Sequence, residues 1–331
     1  MPTELVRRYS GRKVIVTGGL GFIGSNVALA LDRLGAEVLV IDAFFPTHGG
    51  NRQNLVGASP RLAVSEFDLR DRAKLEAAVP GVDTIFNLAG QVSHIDSMND
   101  PRTDLELNTM SQVELLEACR MLNPAARILY ASTRQIYGRP DYVPVDEDHP
   151  LRPIDPNGVS KMAGEAYHTL FHQRYGLRTT SLRLTNTYGP RLRIKDARQT
   201  FVGLWFRRVL EDTALEVWGG DQIRDLTYVD DVVTAFLLAG ATDATNGGVF
   251  NIGGSEAITL IKLAELLVSL AGRGRIDVRP YPEERRGIEI GDYYAEDGRF
   301  RALTGWQPTV TLRDGLEQSL DYFAPRLALY V

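Results

Sequence analysis

Residues 155 to 168 read DPNGVSKMAGEAYH and hold two polar side chains at a spacing that could do chemistry, Asn157 and Lys161. A lysine amine accepts protons near neutral pH when its surroundings lower its pKa. An asparagine amide does not titrate in that range. If this stretch transfers protons, the base is therefore a group other than Asn157. The alternative is that the stretch has no catalytic role.

A second chemical signal is the glycine triplet of TGGLGFIG, which consists of Gly18, Gly21 and Gly24. The triplet joins a β-branched run to a run with helical periodicity. Glycines at this junction permit a tight turn, close approach of the backbone to a pyrophosphate, and close packing of helix on sheet. The helix N-terminus also favours an anion. We therefore predict a bound dinucleotide, with a purely structural turn as the alternative.

Two acidic residues extend this predicted cofactor site. Asp42 ends the second predicted strand, where a carboxylate accepts hydrogen bonds from ribose hydroxyls and repels a 2′-phosphate, so NAD is favoured over NADP. Asp68 follows the third strand and is predicted to contact the adenine, with a helix N-cap as a compatible alternative. We assign five apolar neighbours to the same site: Phe22, Ile23, Leu69, Leu88 and Ala89.

The elements that must position these groups alternate between strands and helices. The predicted strands are KVIVTGG, EVLVID, LAVSEFDL, TIFNLAG, ARILYAST and RTTSLRLTN, and the helices between them include FIGSNVALALDRLG, DRAKLEAAV, TDLELNTMSQVELLEACRML and GVSKMAGEAYHTLFHQRYG. This alternation predicts an α/β fold with a Rossmann-like, doubly wound parallel sheet. We predict an NAD-binding domain over 1–185, to which a segment near 220–250 returns. A smaller, interleaved C-terminal substrate lobe is predicted over 186–331.

The composition is that of an ordinary globular protein, with 24% charged and 44% hydrophobic residues in a chain of 331. A net charge of −5 argues against nucleic-acid or membrane-surface partners. The single cysteine, Cys119, lies on an apolar helix face and is predicted to be a buried thiol. No apolar run approaches the roughly 20 residues that span a bilayer. We expect a soluble, cytoplasmic protein without a metal site.

Seven motifs spread over nearly the whole chain resemble, in order, those of one family. They are TGGLGFIG, NLAGQVSHIDSMNDP, LYASTRQIYG, NGVSKMAGE, LRLTNTYGPR, WGGDQIRDLTYVDDVV and LTGWQPTVTLRDGL. The family is the extended short-chain dehydrogenase/reductases that epimerise or dehydrate nucleotide sugars. The resemblance implies that Thr133 and Lys161 act on a sugar hydroxyl beside the nicotinamide. It also implies a homodimer through the helices around 104–122 and 156–175.

The resemblance maps the family's catalytic tyrosine to Asn157, and three residues could supply the base in its place. Lys161 would lie beside the positively charged nicotinamide, which lowers its pKa. His94 titrates in the right range without tuning, with a polar loop role as the alternative. Tyr137 is close in sequence to Thr133, but in the family this position more often packs in the core.

The sugar end departs from the family at Arg134 and Gln135. Sugar 4,6-dehydratases carry an Asp-Glu pair there to eliminate water, so that elimination is disfavoured. Arg134 instead offers a rigid cationic fork suited to a carboxylate or phosphate, such as that of a uronate sugar. An ion pair within the protein is the alternative role for Arg134.

Four more residues bind the nucleotide sugar if the resemblance holds. Asn186 hydrogen-bonds the ligand, Arg224 and Arg286 contact the diphosphate, and Trp218 stacks on the nucleobase. A structural role is the alternative for Trp218.

These motifs predict an NAD-dependent epimerase that acts on a nucleotide-activated sugar through a transient ketosugar, with an unusual base in place of tyrosine. One alternative is a dehydratase or dehydrogenase that works by a different route. Another is a catalytically silent protein that binds NAD and a nucleotide sugar. Asn157 motivates the silent alternative, whereas the presence of Thr133 and Lys161 argues against it.

Overall fold

The computed structural model describes residues 3–45, 49–281 and 289–331. Its strands are β1 (Lys13–Thr17), β2 (Glu37–Asp42), β3 (Leu62–Glu66), β4 (Thr84–Asn87), β5 (Arg127–Thr133), β6 (Arg178–Leu184), β7 (Asn186–Tyr188), β8 (Ala214–Trp218), β9 (Ile223–Tyr228), β10 (Val249–Ile252), β11 (Ala257–Thr259) and β12 (Arg275–Arg279). Its α-helices are α1 (Thr3–Tyr9), α2 (Phe22–Arg33), α3 (Arg72–Ala78), α4 (His94–Asn99), α5 (Pro101–Leu105), α6 (Ser111–Leu122), α7 (Pro156–Tyr175), α8 (Phe201–Leu210), α9 (Val229–Ala241), α10 (Leu260–Ala271), α11 (Gly298–Thr304) and α12 (Leu312–Phe323).

The central sheet has seven parallel strands in the order β10-β6-β5-β4-β1-β2-β3. The chain leaves β1 in one direction through β2 and β3, and then crosses to β4, β5 and β6 on the other side. This reversal creates a crevice at the carboxyl ends of β1 and β4, where open α/β sheets bind ligands. The predicted Rossmann-like fold is confirmed.

Helices cover both faces of this sheet, as its almost fully apolar inner strands require. On one face, Val27 and Leu31 of α2 and Phe236 of α9 belong to one buried core cluster. On the other face, Leu116 and Cys119 of α6 belong to a second cluster. Cys119 is fully buried, as predicted, and burial raises the pKa of its thiol to about 12.

The chain beyond residue 185 contributes to both parts of the molecule. Strand β10 forms an edge of the parallel sheet beside β6, and α9 packs against α2. Strands β11, β9 and β7 form a separate sheet, and β12 pairs with β8 in another. The exact domain boundary at 185 stays a prediction. Within the described ranges, no helix combines the length and apolarity needed to cross a membrane.

The segment TDLELNTMSQVELLEACRML is helical throughout, as predicted, but it contains a π-helical turn that was not predicted. The structure divides it into α5, a π-helical turn over Glu106–Met110, and α6. The wider turn accompanies an inward-facing Asn108, whose amide donates to the Gln91 carbonyl and to Asp104, each at 3.0 Å. Such π-helical turns inside helices are frequent at functional sites.

Candidate functional site

The glycine turn forms one end of a cleft at the crevice between β1 and β4. Gly18 has a φ of +66°, and a Cβ there would lie 2.9 Å from the Ala89 backbone. Gly24 packs its bare Cα against Gly18 at the start of α2. Gly21 caps α2, and a Cβ on it would meet only the Gly18 carbonyl, at 3.1 Å. The turn is therefore closed towards the sheet and open towards the cleft, which fits a dinucleotide pyrophosphate.

Asp42 is held rigidly at the end of β2. Its Oδ2 accepts the Leu20 N–H at 3.0 Å and its Oδ1 accepts the Phe44 N–H at 2.8 Å. Burial raises the pKa of this carboxyl. Since each carboxylate oxygen has a second lone pair, Asp42 keeps capacity for the ribose hydroxyls of a cofactor.

Asp68 accepts a forked pair of hydrogen bonds from Arg70, the shorter at 2.7 Å. Burial alone would raise the pKa of Asp68, but these hydrogen bonds hold it below its usual value. The N-cap of α3 is Asp71, whose side chain accepts the Lys74 N–H. The alternative role of Asp68 as a helix N-cap is therefore wrong.

The predicted cofactor residues and much of the predicted reaction centre line a single cleft. Of the predicted residues, those along its wall are Gly18, Gly21, Phe22, Ile23, Gly24, Asp42, Asp68, Leu69, Leu88, Ala89, Thr133, Arg134, Asn157, Lys161 and Asn186. A ligand bound at the glycine turn can therefore reach the groups at the ends of β5 and α7.

Lys161 lies one turn into α7 and faces the reaction end of this cleft. Its Nζ donates to the Ala131 carbonyl at 3.2 Å and lies 5.2 Å from the centroid of the Tyr130 ring. Burial lowers the pKa of Lys161 to about 8, an effect that the Asp104 carboxylate partly opposes. The amine is consequently poised to exchange a proton near physiological pH.

Thr133 ends β5 on the wall of the same cleft. Its Oγ1 accepts the backbone N–H of Gln135 at 3.2 Å, which starts a short 3₁₀ turn over Arg134–Tyr137. With its oxygen fixed in this way, the hydroxyl can donate its own proton to an oxygen in the cleft.

Asn157 is buried in a polar network. Its amide Nδ2 donates to the Gln91 carbonyl and to Asp104 Oδ1, each at 2.9 Å. The same Asp104 oxygen accepts from Asn108. The Asn157 side chain, which the resemblance maps to the family tyrosine, thus links α7 to the loop after β4 and to α5. Its amide does not act as an acid or a base near neutral pH.

His94 begins α4 and uses both ring nitrogens within the protein. Nδ1 is hydrogen-bonded to the Asp155 carboxylate, and Nε2 lies 2.9 Å from the Gln135 amide nitrogen. Burial alone would raise the pKa of Asp155, but the hydrogen bonds from His94 and Gly158 hold it below its usual value. His94 does not line the described part of the cleft. It orients Gln135, which does.

Tyr137 is fully buried, so it takes the packing role expected from the family. Its hydroxyl donates to Asn251 Oδ1 and accepts from Arg183 Nη1, each at 2.7 Å. Burial raises the pKa of this phenol to about 12. With both hydrogen bonds made and the proton held so firmly, Tyr137 is unsuited to act as a base.

Arg134 lies on the cleft wall, where the described residues offer it no counter-ion. Among these residues its guanidinium makes no hydrogen bond or ion pair, and its carbon lies 5.2 Å from the centroid of the Tyr293 ring. The described part of the chain thus gives no support to the alternative of an internal ion pair. Burial, and next the nearby Arg224, lower the pKa of Arg134 to about 10, which leaves it charged at neutral pH.

The residues predicted for the nucleotide end lie in different places. Asn186 lines the cleft, and its buried Nδ2 has no hydrogen-bond partner within the described chain. Arg224 is not on the described cleft wall. Its guanidinium donates to the Ile223 carbonyl at 2.9 Å, to the Gly291 carbonyl, and to Glu289 at 3.1 Å.

Two further predictions for the nucleotide end stay untested. Trp218 ends β8 away from the described cleft wall, and its ring packs edge-on against Tyr281 at 6.1 Å. Arg286 lies outside the described residues.

Several polar residues that hold the site together were not among those predicted. Asp104 and Gln91 accept hydrogen bonds from Asn157, and Asp155 is hydrogen-bonded to His94. Only Asp155 carries a local signal, since an Asp before Pro156 is typical of a helix N-cap followed by proline at the first position. Its side chain does accept the Gly158 N–H, at 2.7 Å.

Comparison with known proteins identifies the family. The model of the NAD dependent epimerase/dehydratase family matches residues 14–253. The UDP-glucose 4-epimerase of Mycolicibacterium smegmatis is 31% identical over 320 residues, which cover 94% of this chain and 98% of that protein.

Solved structures show the same likeness. The UDP-glucose 4-epimerase of Thermotoga maritima, solved with UDP-glucose, superposes with a TM-score of 0.87 and 30% identity over 95% of this chain and 99% of its own. The Thermus thermophilus UDP-glucose 4-epimerase in complex with NAD gives a TM-score of 0.82 and 31% identity over 95% and 99%. The chain belongs to the NAD dependent epimerase/dehydratase family, within the extended short-chain dehydrogenase/reductases, and its cofactor is NAD.

Proposed function

We propose that this member of the NAD dependent epimerase/dehydratase family epimerises a nucleotide-activated sugar through a transient ketosugar. One observation carries the proposal: the glycine turn, Thr133 and Lys161 line a single cleft, so a sugar at the reaction end can meet a cofactor bound at the turn. The chemistry supplied by a bound NAD would be reversible hydride transfer with the sugar carbon. The protein's own residues then have to manage the proton of the sugar hydroxyl.

Lys161 is the proposed base. Its Nζ faces the cleft, and the pKa of about 8 leaves an appreciable neutral fraction near physiological pH. A positive charge brought close to the amine lowers that pKa further. The neutral amine takes the hydroxyl proton as the carbonyl forms and gives it back as the carbonyl is reduced. Thr133 holds the same oxygen through its free O–H.

Epimerisation is favoured over elimination because of the two residues after Thr133. Loss of water from a sugar requires an acid and a base beside the reacting carbons. Arg134 and Gln135 occupy those positions, and neither exchanges protons near neutral pH. The relatives from Mycolicibacterium smegmatis and Thermotoga maritima are UDP-glucose 4-epimerases, which supports a UDP-sugar as the first substrate to test.

The test incubates the purified protein with UDP-, GDP-, CDP- and dTDP-sugars in heavy water and analyses the separated products by mass spectrometry. The proposal predicts a product of equal mass without deuterium at carbon, and no accumulation of NADH. Net NADH would indicate a one-way dehydrogenase, and loss of water would indicate a dehydratase. Binding without turnover across the panel would favour a catalytically silent protein.

We also propose that the protein forms a homodimer through α6 and α7. Exposed apolar side chains on and beside these helices support the proposal: Met110, Met121, Leu122, Val159, Leu170 and Tyr175. Sedimentation analysis at micromolar concentration should give twice the chain mass, and Leu170→Glu should shift it towards the monomer. A monomeric wild-type protein would refute the proposal.

A further inference from the structure

We propose that Arg134 binds a carboxylate carried by the sugar, so that the substrate is a nucleotide-linked sugar acid rather than a neutral hexose. This inference deepens the proposed function and rests on it. A guanidinium binds a planar carboxylate through two parallel N–H groups. Both a uronic acid and a sugar with a lactyl ether carry such a carboxylate.

The position of Arg134 places it beside the reacting atoms. It follows Thr133 directly, so their Cα atoms are about 3.8 Å apart. Both residues line the cleft, and both belong to the junction at which β5 passes into the 3₁₀ turn. An anion near Thr133 is therefore close to the sugar ring that presents its hydroxyl to Thr133.

The charge of Arg134 is left available by the protein. Within the described ranges its guanidinium has no hydrogen bond and no ion pair, although it is partly withdrawn from solvent. The guanidinium carbon lies over the Tyr293 ring at 5.2 Å from its centroid, and this contact uses none of the N–H donors in a hydrogen bond. A partly desolvated cation without a partner is costly, and a ligand anion removes that cost.

Two charged residues near Arg134 do not form an ion pair with it among the described residues. Arg224 has Glu289 as an ion-pair partner at 3.1 Å. The buried Asp225 uses its Oδ2 to accept the backbone N–H groups of Ala295 and Gly254. Asp225 acts on Arg134 through space, but makes no ion pair with it within the described chain. Among the described residues, Arg134 thus keeps its positive charge without an ion-pair partner on the cleft wall.

The test measures binding of UDP-glucuronate, UDP-glucose and UDP to the full-length, NAD-saturated protein by calorimetry. The two sugars differ only in a carboxylate or a hydroxymethyl group. Wild type should prefer UDP-glucuronate. Arg134→Met should weaken UDP-glucuronate roughly 10- to 100-fold and change UDP-glucose by less than about twofold. Arg134→Lys keeps the charge but loses the forked donor geometry, so its affinity for UDP-glucuronate should lie between those of wild type and Arg134→Met.

Arg152→Met is the matched control, since Arg152 makes an exposed ion pair with Asp141 at 3.0 Å. It should bind all three ligands like wild type. Equal weakening of both sugars and of UDP in Arg134→Met would show that Arg134 contacts the diphosphate, and would overturn the inference. Equal affinity of wild type for both sugars would overturn it as well.

A turnover assay with the same two sugars separates this inference from the proposed function. Arg134-dependent binding of UDP-glucuronate without turnover would refute epimerisation and leave the carboxylate site standing. Epimerisation of UDP-glucose with no contribution from Arg134 would support the proposed function and refute the carboxylate site. Melting temperatures of the variants show whether each is folded.

Discussion

The cleft has a cofactor half at the glycine turn and a reaction half at the end of β5 and the start of α7. The two halves differ in how far their polar groups are hydrogen-bonded within the protein. At the cofactor half, both oxygens of Asp42 and of Asp68 accept hydrogen bonds from the protein itself. At the reaction half, two cleft-wall residues each have a buried polar atom without a hydrogen-bond partner among the described residues: Gln135 Oε1 and Asn186 Nδ2. Since buried polar groups are normally hydrogen-bonded, these two atoms can bind a polar ligand in the cleft.

The difference teaches that one half recognises its ligand by backbone shape and the other by side-chain chemistry. The glycine turn offers space and N–H groups, which suit any dinucleotide of the right length. The reaction half offers an amine, a hydroxyl, an amide and a guanidinium, which select a particular sugar. Asn157, to which the resemblance maps the family's tyrosine, lies in this second half.

The largest effect is expected when the amine of the reaction half is removed. Lys161→Met deletes the proposed base, so kcat should fall by about 10²- to 10⁴-fold. The melting temperature should not fall, because methionine fills the same volume without a buried charge. Lys262→Met, on the exposed side of α10, is the control and should keep wild-type kcat. Normal turnover by Lys161→Met would refute the assignment of Lys161 as the base.

The matching change in the cofactor half is Gly18→Ala. The new Cβ would lie 2.9 Å from the Ala89 backbone at a φ of +66°, so NAD binding should be lost and the free energy of unfolding should fall by about 1–3 kcal/mol. Gly57→Ala isolates the backbone strain, since Gly57 has a φ of +91° with nothing within 4 Å. The Gly57→Ala variant should bind NAD with wild-type affinity. Equal NAD affinity in both variants would contradict recognition by backbone shape.

A smaller effect is expected from Asn157→Ala. The change removes hydrogen bonds to the Gln91 carbonyl and to Asp104, so the free energy of unfolding should fall by about 1–3 kcal/mol in chemical denaturation. Asn99→Ala, at an exposed position of α4, should be neutral. Because the Asn157 amide does not act as an acid or a base near neutral pH, kcat should fall much less than in Lys161→Met. Loss of turnover at unchanged stability would instead give Asn157 a direct part in catalysis.

The same division explains how much could be predicted from the sequence. The sheet and the cofactor half follow from local signals, because a strand, a glycine triplet and a helix are adjacent in the chain. Asp42 needs only its place at the end of the next strand. The cleft wall contains Gly18, Gly21, Gly24 and Asp42 as expected.

The reaction half depends on contacts between distant parts of the chain. His94 meets Asp155 across 61 residues, and Asn157 meets Gln91 across 66. No periodicity or spacing links such pairs. Nor can a sequence show that Arg134 lacks a counter-ion among the described residues, because that depends on where each acidic side chain lies in the fold. The resemblance to the family supplied the positions here, and the structure supplied the partners.

The proposed chemistry depends on Lys161 as the base, and the pH dependence of kcat/KM tests this most directly. A base must be neutral, so kcat/KM should rise about tenfold per pH unit and level off at or below the pKa of about 8 given by burial of Lys161. His94→Gln should show the same profile. A rise at lower pH that disappears in His94→Gln would assign the base to His94 and contradict the role of Lys161.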